Sequence, residues 1–257
     1  MLEHDKMLSF PHITVSVVSH GHRDMVASLL RQLADLPDAH VGRVVVTHNL
    51  PDEILDKPDQ AGYELVQLKN VKPLGFSENH NRAFAHCETP YFGVLNPDIK
   101  FEYGNPLPVL LKALTDDSRI GAVAPALVQP GTLHIEPNRR VVTPLELIRR
   151  RLPGYKPPAE PEWLVGAFLL IRSDVYQTLG GLDEGFRLYC EDVDFGVRMW
   201  SSGWVIRRVD TAKVVHLTQR RSHSALNFGF LHLMSLLRLW VKLMLLGCPR
   251  KRERRII

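Results

Sequence analysis

Two carboxylate groupings carry the clearest chemical potential in this chain. Asn96-Pro97-Asp98 follows the apolar run Tyr91 to Leu95. A carboxylate just past a strand end can hold a divalent cation against a diphosphate, because such a cation takes hard oxygen ligands and keeps positions open for phosphate oxygens. Asn-Pro-Asp is equally an ordinary turn signal. The second grouping, Tyr189-Cys190-Glu191-Asp192-Val193-Asp194, sets three carboxylates within four residues at the expected start of a helix. The helix dipole favours negative charge there. A partly buried carboxylate in such a cluster also suits a general base. His20 and His22 flank Gly21, and His48 closes another apolar run. A nucleotide contact and a solvated loop both fit these histidines. His4, His12, His40, His86 and His223 have no ligand spacing.

The elements that position these groups can be read from hydrophobic periodicity. Ile13 to Ser19 is a buried-strand run, and Val26, Leu29, Leu30 and Leu33 then recur at helical spacing up to Pro37. Arg43 to Thr47, Glu64 to Leu68, Tyr91 to Leu95 and Ile120 to Ala124 predict further strands. Ser77 is placed to cap a short helix carrying Ala83, Phe84 and Cys87, and a helix is expected over Leu107 to Leu114. Strands alternating with helices predict an α/β fold, a mostly parallel sheet with helices on both faces. Such sheets bind ligands at the carboxyl ends of their strands, where His20, His48 and Asp98 fall. Beyond Pro125 a proline-rich stretch with Arg139, Arg140, Arg149, Arg150 and Arg151 reads as a rim excursion with a short helix at Leu145 to Arg151. Its guanidinium forks suit phosphate oxygens, although an exposed charged loop is the preferred reading. Order resumes at Val165 to Ile171, a helix opens at Ser173, another follows Asp192, and strand runs follow at Trp204 to Val209 and Ala212 to His216.

Composition narrows the function classes. The 257 residues are 45% apolar and 23% charged, which excludes collagen-like and wholly disordered chains. The net charge of +4 equals that of Arg250 to Arg255 alone, so the rest is balanced and lacks the spread basic footprint of a nucleic-acid binder. Three cysteines without a C-x-x-C pair predict neither a disulfide framework nor a zinc site, and fit a reducing compartment. The opening residues lack the pattern of a secretory signal, and no run of 18 residues is free of charge. The expected location is cytoplasmic, peripheral at the inner membrane face.

Residues 1–222 are expected to form one catalytic domain, with 223–257 as an appendage. In the appendage, Ser224 to Gly247 is rich in Leu, Phe, Met and Trp, while His232, Ser235, Arg238 and Lys242 fall on one stripe. An amphipathic helix with a cationic stripe and a basic tail suits an anionic membrane interface, giving an expected peripheral contact through residues 224–255. Docking on the chain's own core is the equal alternative.

Taken jointly, the motifs are specific. Leu74-Gly75-Phe76-Ser77 with Asn81-Arg82, Leu95-Asn96-Pro97-Asp98, Gly166-Ala167-Phe168, Gly180-Gly181-Leu182-Asp183-Glu184, Tyr189 to Asp194, Gly203-Trp204 and His216 occur in an order that resembles the family 2 glycosyltransferases, especially the rhamnosyltransferase-like branch acting on bacterial surface polysaccharides. The resemblance covers about Ile13 to Ser222. It implies a GT-A fold, with a nucleotide-binding half near 13–125 and an acceptor half near 126–222. The implied reaction transfers one sugar with inversion from a nucleotide-diphosphate donor, best dTDP-L-rhamnose, to a glycan or lipid-linked acceptor. Carried over by position, Ser19, His20, His48, Asn49, Gly75, Asn81, Arg82, Asn96 and Asp98 bind the nucleotide sugar. Asp98 and His216 hold Mg²⁺ or Mn²⁺. Asp192 is the base beside Glu191, and Trp163, Gly166, Ala167 and Glu191 line the acceptor side. His48 stands where this family usually has aspartate, Pro73 where asparagine is common, and Leu182 where phenylalanine is usual. A UDP-sugar hexosyl- or N-acetylhexosaminyltransferase is the alternative enzyme, and a catalytically silent nucleotide-sugar-binding scaffold subunit is the alternative class. The Q-x-x-R-W motif of processive synthases is missing at Gln219, so single additions are expected. A dinucleotide-binding dehydrogenase is excluded by the lack of G-x-G-x-x-G after the first strand.

Overall fold

The computed structural model describes residues 13–217 and 225–246. The expected basic tail at 250–255 and the join at 218–224 lie outside the described residues. The strands are β1 (Ile13–Ser19), β2 (Val41–His48), β3 (Glu64–Lys69), β4 (Tyr91–Leu95), β5 (Ile99–Lys100), β6 (Ile120–Val128), β7 (Phe168–Arg172) and β8 (Val205–His216). The helices are α1 (Arg23–Asp35), α2 (Phe76–Phe84), α3 (Leu107–Asp116), α4 (Pro144–Arg149), α5 (Ser173–Thr178), α6 (Glu191–Ser201) and α7 (Ala225–Leu246). The two strand runs expected around Asp210 are one continuous strand, β8.

The eight strands form one sheet in the order β3-β2-β1-β4-β7-β6-β8-β5. β1 to β4 pair in parallel as the alternating pattern predicts, and β6 pairs in parallel with β8. Six of the eight strands thus point one way, as expected, and the sheet is mixed only in that β7 runs antiparallel between β4 and β6, and β5 runs antiparallel to β8. β7 carries the uniform apolar run Phe168-Leu-Leu-Ile, which fits either direction, so its own sequence does not specify which.

The connection from β4 to β5 shapes the sheet. Leu95 and Ile99 are four residues apart, a reach of about 14 Å at most, yet their strands stand four places apart in the order. A flat sheet would separate them by about 19 Å. The second half of the sheet must therefore curl back on itself. Its far edge closes where Ile99 pairs with His216 and the Leu217 N–H donates to the Asp98 carbonyl at 3.1 Å.

Helices cover both faces. Val26, Leu29, Leu30 and Leu33 of α1 and Leu107, Leu110, Leu111 and Leu114 of α3 pack on one face with Val15, Val17 and Phe168. On the other, Ala83 of α2, Val175 and Tyr176 of α5, and Phe195 and Met199 of α6 pack with Phe92, Val94 and Ile171. Ser77 does not cap α2. Gly75 occupies the cap position, and the Ser77 hydroxyl is buried and donates to the Phe186 carbonyl at 3.5 Å.

The C-terminal helix docks on the rest of the chain, as the core-docking alternative expects, and does so through Ser235, Arg238 and Lys242 of the stripe. Ser235 Oγ donates to the Leu188 carbonyl at 2.7 Å. Arg238 and Lys242 pair with Asp183 at 3.0 and 2.7 Å, and Lys242 also pairs with Asp194 of α6. Leu236, Leu239 and Leu243 bury beside them in a third cluster with Val141, Trp163, Phe186, Val193 and Val197. The physical reason is that Asp183 and the buried Asp194 need cations close by, and the one stripe supplies them.

One clasp ties the two halves together. Asn81 Nδ2 donates to the Leu182 carbonyl at 2.8 Å and Glu184 Oε1 at 2.9 Å, and its Oδ1 accepts from Leu182 N–H and the Tyr176 hydroxyl. Gly181 adopts φ +70°, and a Cβ there would lie 2.4 Å from Asn81 Oδ1. Gly181→Ala should therefore cost about 2–4 kcal/mol through left-handed strain and lost hydrogen bonds. Urea unfolding would measure this, and a loss below roughly 0.5 kcal/mol would show the clasp to be dispensable.

Candidate active site

The curl of the sheet sets the first half of the site. Asp98 leaves β4 and His216 ends β8, so the β5–β8 pairing brings Asp98 Oδ1 to 3.5 Å from His216 Nε2. Asp98 Oδ1 and His216 Nδ1 are both buried without a hydrogen-bond partner. A hard carboxylate oxygen beside an imidazole, each with unused capacity, fits a divalent cation whose other positions go to a ligand. Among the described residues no set of three His, Cys, Asp or Glu side chains converges on one point, so the chain itself offers this pair.

The antiparallel strand β7 sets the second half. Its approach segment crosses the carboxyl end of β4, where the Asn96 N–H donates to the Ala167 carbonyl at 2.8 Å. One residue earlier, the Gly166 N–H donates to Asp192 Oδ2 at 3.0 Å. Residues 166–167 are thus a two-residue strap between the Asp98 turn and the first turn of α6. Asp192 Oδ1 also accepts from the Val193 N–H at 2.8 Å. Glu191, next to it, is buried, and its Oε2 has no partner. Tyr189 and Cys190 both adopt positive φ, at 71° and 66°, which turns the chain sharply so that both carboxylates enter the helix together.

The electrostatics separate the two carboxyls. Burial, with the Asp192 charge beside it, pushes Glu191 up to about 8. Burial also raises Asp192, while the Gly166 and Val193 N–H bonds and the charge of Arg139 oppose that rise. Two carboxylates this close do not both ionise freely. Asp192, with two backbone N–H donors, is the better home for the negative charge, and Glu191 keeps the proton near neutrality.

Across the β1 and β2 ends, the nucleotide-side candidates are joined in a polar network. The Asn49 N–H donates to the Ser19 carbonyl at 2.8 Å, and Asn49 Nδ2 lies 2.9 Å from His20 Nδ1. Asn49 Oδ1 accepts from the Leu74 N–H and from Asn70 Nδ2, both at 2.8 Å. Asn70 also donates to Asn79 and accepts from Arg82. Asn70, in the loop after β3, and Asn79, inside α2, escaped the sequence reading because neither stands in a local pattern that marks it. Their pairing depends on α2 packing on β1 and β2. His48, expected on the nucleotide side, is buried at the end of β2, with Nε2 2.9 Å from Gln67 Oε1 and Nδ1 without a hydrogen-bond partner. Gly75 is needed for close approach, since a Cβ there would sit 3.0 Å from the Arg187 carbonyl oxygen. Asn81 is occupied by the clasp to residues 182–184.

On the acceptor side, Trp163 is buried, donates Nε1–H to the Arg140 carbonyl at 2.9 Å and lies under the Arg139 guanidinium at 5.5 Å. It packs in the core beside Val193 and Val197 of α6, and Arg139 above it is exposed, as the charged-loop reading expects. Glu146 of α4, which the sequence reading did not single out, is buried and accepts from the Tyr155 hydroxyl.

Comparison with known proteins agrees with this architecture. The chain is 25% identical over 235 residues to the rhamnosyltransferase WbbL of Escherichia coli K12, covering 85% of this chain and 88% of that one. It is 30% identical over 152 residues to an N-acetylglucosaminyl-diphospho-decaprenol L-rhamnosyltransferase of Mycobacterium tuberculosis. That match covers 51% of this chain and 47% of the relative, so it spans about half of the relative's length. No family model matches the chain. Among solved structures, GalNAc-T7 with UDP, GalNAc and Mn²⁺ superposes with a TM-score of 0.65 at 14% identity, over 90% of this chain and 48% of that one. The mannosyltransferase PcManGT of Pyrobaculum calidifontis with GDP-Man and Mn²⁺ gives 0.64 at 15% identity, over 91% and 64%. These neighbours show the GT-A fold. In sequence, the chain is similar to rhamnosyltransferases over most of its length.

The raised Glu191 carboxyl makes stability depend on pH. Its folded form binds a proton between about 4.5 and 8 that the unfolded chain has released, so stability is full below 4.5 and falls as pH rises towards 8. Glu191→Gln removes that titration. Its thermal midpoint should gain on the wild type by at least roughly 2–4 °C between pH 5 and pH 8.5. Parallel midpoint curves for the two proteins would show that Glu191 ionises without cost.

Proposed function

We propose that this rhamnosyltransferase-like chain transfers one sugar, with inversion at the anomeric carbon, from dTDP-L-rhamnose to a lipid-linked or lipopolysaccharide glycan. The observation that carries the proposal is the two-residue strap at 166–167, which ties a proton-accepting carboxylate to a cation-binding pair. Asp192 takes the proton of an acceptor hydroxyl as that oxygen forms a bond to the anomeric carbon. The bond from that carbon to the diphosphate oxygen breaks, and the electron pair leaves with the nucleoside diphosphate. Its raised basicity and fixed orientation suit Asp192 to the task, because a stronger base withdraws the proton further in the transition state. Protonated Glu191 keeps a second charge away from the same pocket.

Asp98 and His216 would hold Mg²⁺ or Mn²⁺, which supplies charge neutralisation to the departing diphosphate. Ser19, His20, Asn49, Asn70 and Arg82 border the nucleotide side, and Gly75 and Asn81 keep α2 seated against the loop that leads to α6. The relatives support the donor and acceptor classes. One of them is named as a rhamnosyltransferase, and another bears decaprenol diphosphate in its acceptor's name. The acceptor is met at the inner face of the cytoplasmic membrane, with residues 224–255 as the peripheral contact.

Asp192→Asn should lower turnover by roughly 10²-fold or more while dTDP still raises the thermal midpoint, since the amide keeps the shape and loses the basicity. Turnover within a few-fold of wild type would remove Asp192 from the role. Asp98→Ala should abolish the part of the dTDP-induced midpoint shift that requires Mg²⁺ or Mn²⁺. An unchanged metal-dependent shift would place the cation elsewhere.

A further inference from the structure

With its cations turned inward, α7 presents an unusual outer face. Leu233, Met234, Leu237, Val241, Met244 and Leu245 are exposed along it, the last two at 79% and 80%. Their spacing of one, three, four, three and one puts them on a single stripe. The 22 residues of α7 contain no Asp or Glu. Beside it lies α4, whose Leu147 packs into the same buried cluster as Leu236, Leu239 and Leu243. Trp240 Nε1 of α7 donates to the Val142 carbonyl just before α4 at 2.8 Å, and the charge of Arg150 is felt at His232. On α4 and the turn after it, Leu145, Ile148 and Leu152 are exposed, and Arg149, Arg150 and Arg151 are exposed with them.

We propose that α7 and α4 together form a membrane-docking face, with the apolar stripe of α7 and Leu145, Ile148 and Leu152 entering the interface and Arg149, Arg150 and Arg151 binding anionic headgroups. The surface is part of the membrane contact read for residues 224–255, and extends it to α4. None of its residues touches the cation pair or the two carboxylates. A bilayer is the occupant that matches this chemistry. Two apolar ridges flanked by unpaired guanidinium groups, with no acidic residue on α7, complement an apolar phase bounded by negative charge. No helix among the described residues is long and apolar enough to cross a membrane, so α7 would lie along the surface. The sequence after α7 holds five more basic residues between Arg250 and Arg255, of the same sign of charge. The docking also orients the enzyme. α7 is clipped to α6 through Lys242 and Asp194, so the helix that starts with the catalytic carboxylates has a fixed height above the lipid.

Flotation of the full chain with vesicles tests this. Wild type should bind phosphatidylglycerol–phosphatidylcholine vesicles far better than pure phosphatidylcholine vesicles, less so at high salt. Leu237→Glu with Met244→Glu should weaken binding at least tenfold. Arg149→Ala, Arg150→Ala and Arg151→Ala combined should weaken it roughly 10²-fold, about fivefold per arginine, on anionic vesicles only. All substituted positions are exposed, so both variants should keep the wild-type thermal midpoint and its metal-dependent shift with dTDP. That second readout follows the donor site, and its loss in wild type would count against the glycosyltransferase proposal and leave the docking face standing. Vesicle binding by the arginine variant equal to wild type would overturn the role of α4. No vesicle binding by wild type, with a dimer in sedimentation that Leu237→Glu and Met244→Glu convert to monomer, would assign the face to a second copy of the chain and overturn the proposal.

Discussion

The four-residue step from Leu95 to Ile99 is the constraint on which this molecule turns. The chain must pass from the centre of the sheet to its far edge within a span too short for a flat sheet, so the half formed by β7, β6, β8 and β5 curls round. Curling brings the end of β8 back to the end of β4. Without it, Asp98 and His216 would stand about three strand spacings apart, roughly 14 Å, and could not meet. Only two residues of β5 are needed to close the edge, Ile99 against His216 and Lys100 against Val215.

The reversed direction of β7 follows from the same geometry and supplies the other half of the site. A strand running backwards between two forward strands begins at the edge where its neighbours end. Gly166 and Ala167 therefore arrive beside Asn96, and the Gly166 N–H is free to hold Asp192. A forward-running β7 would have put that segment at the opposite edge. Asp192, the strap and the Asp98–His216 pair are thus brought together by one topology, and α6 needs only the sharp turn at Tyr189 and Cys190 to bring its carboxylates to it.

The inward ion pairs of α7 show how burial can invert a helix's apparent design. Asp183 is held below its ordinary range by Lys242 and Arg238 against the opposing effect of burial, and Asp194 is shared by Arg198 and Lys242. Removing the α7 cations would leave Asp194 with Arg198 alone and Asp183 with the Gly185 N–H as its remaining donor, which weakens the compensation of two carboxylates drawn out of water. The apolar residues Leu233, Met234, Leu237, Val241, Met244 and Leu245 are left exposed on the outer face of the helix.

Much of the fold was legible because its signals are local. The buried runs of β1, β2 and β4 and the leucine spacing of α1 follow from hydrophobic periodicity, which short-range sterics and burial dictate. The types of the chemical groups, Asp98 past a strand end and Glu191-Asp192 at a helix start, were also visible, since turn and helix-terminus preferences act within a few residues. The direction of β7, the burial of His48, the Asn49–Asn70–Asn79 network and the inward face of α7 were not. Each depends on contacts between residues far apart in the chain, whose energies no local pattern records. Sequence determined which residues could do the chemistry. Tertiary structure decided which of them meet, because the sheet's curl and the neutralisation of buried charge are properties of the whole packed chain.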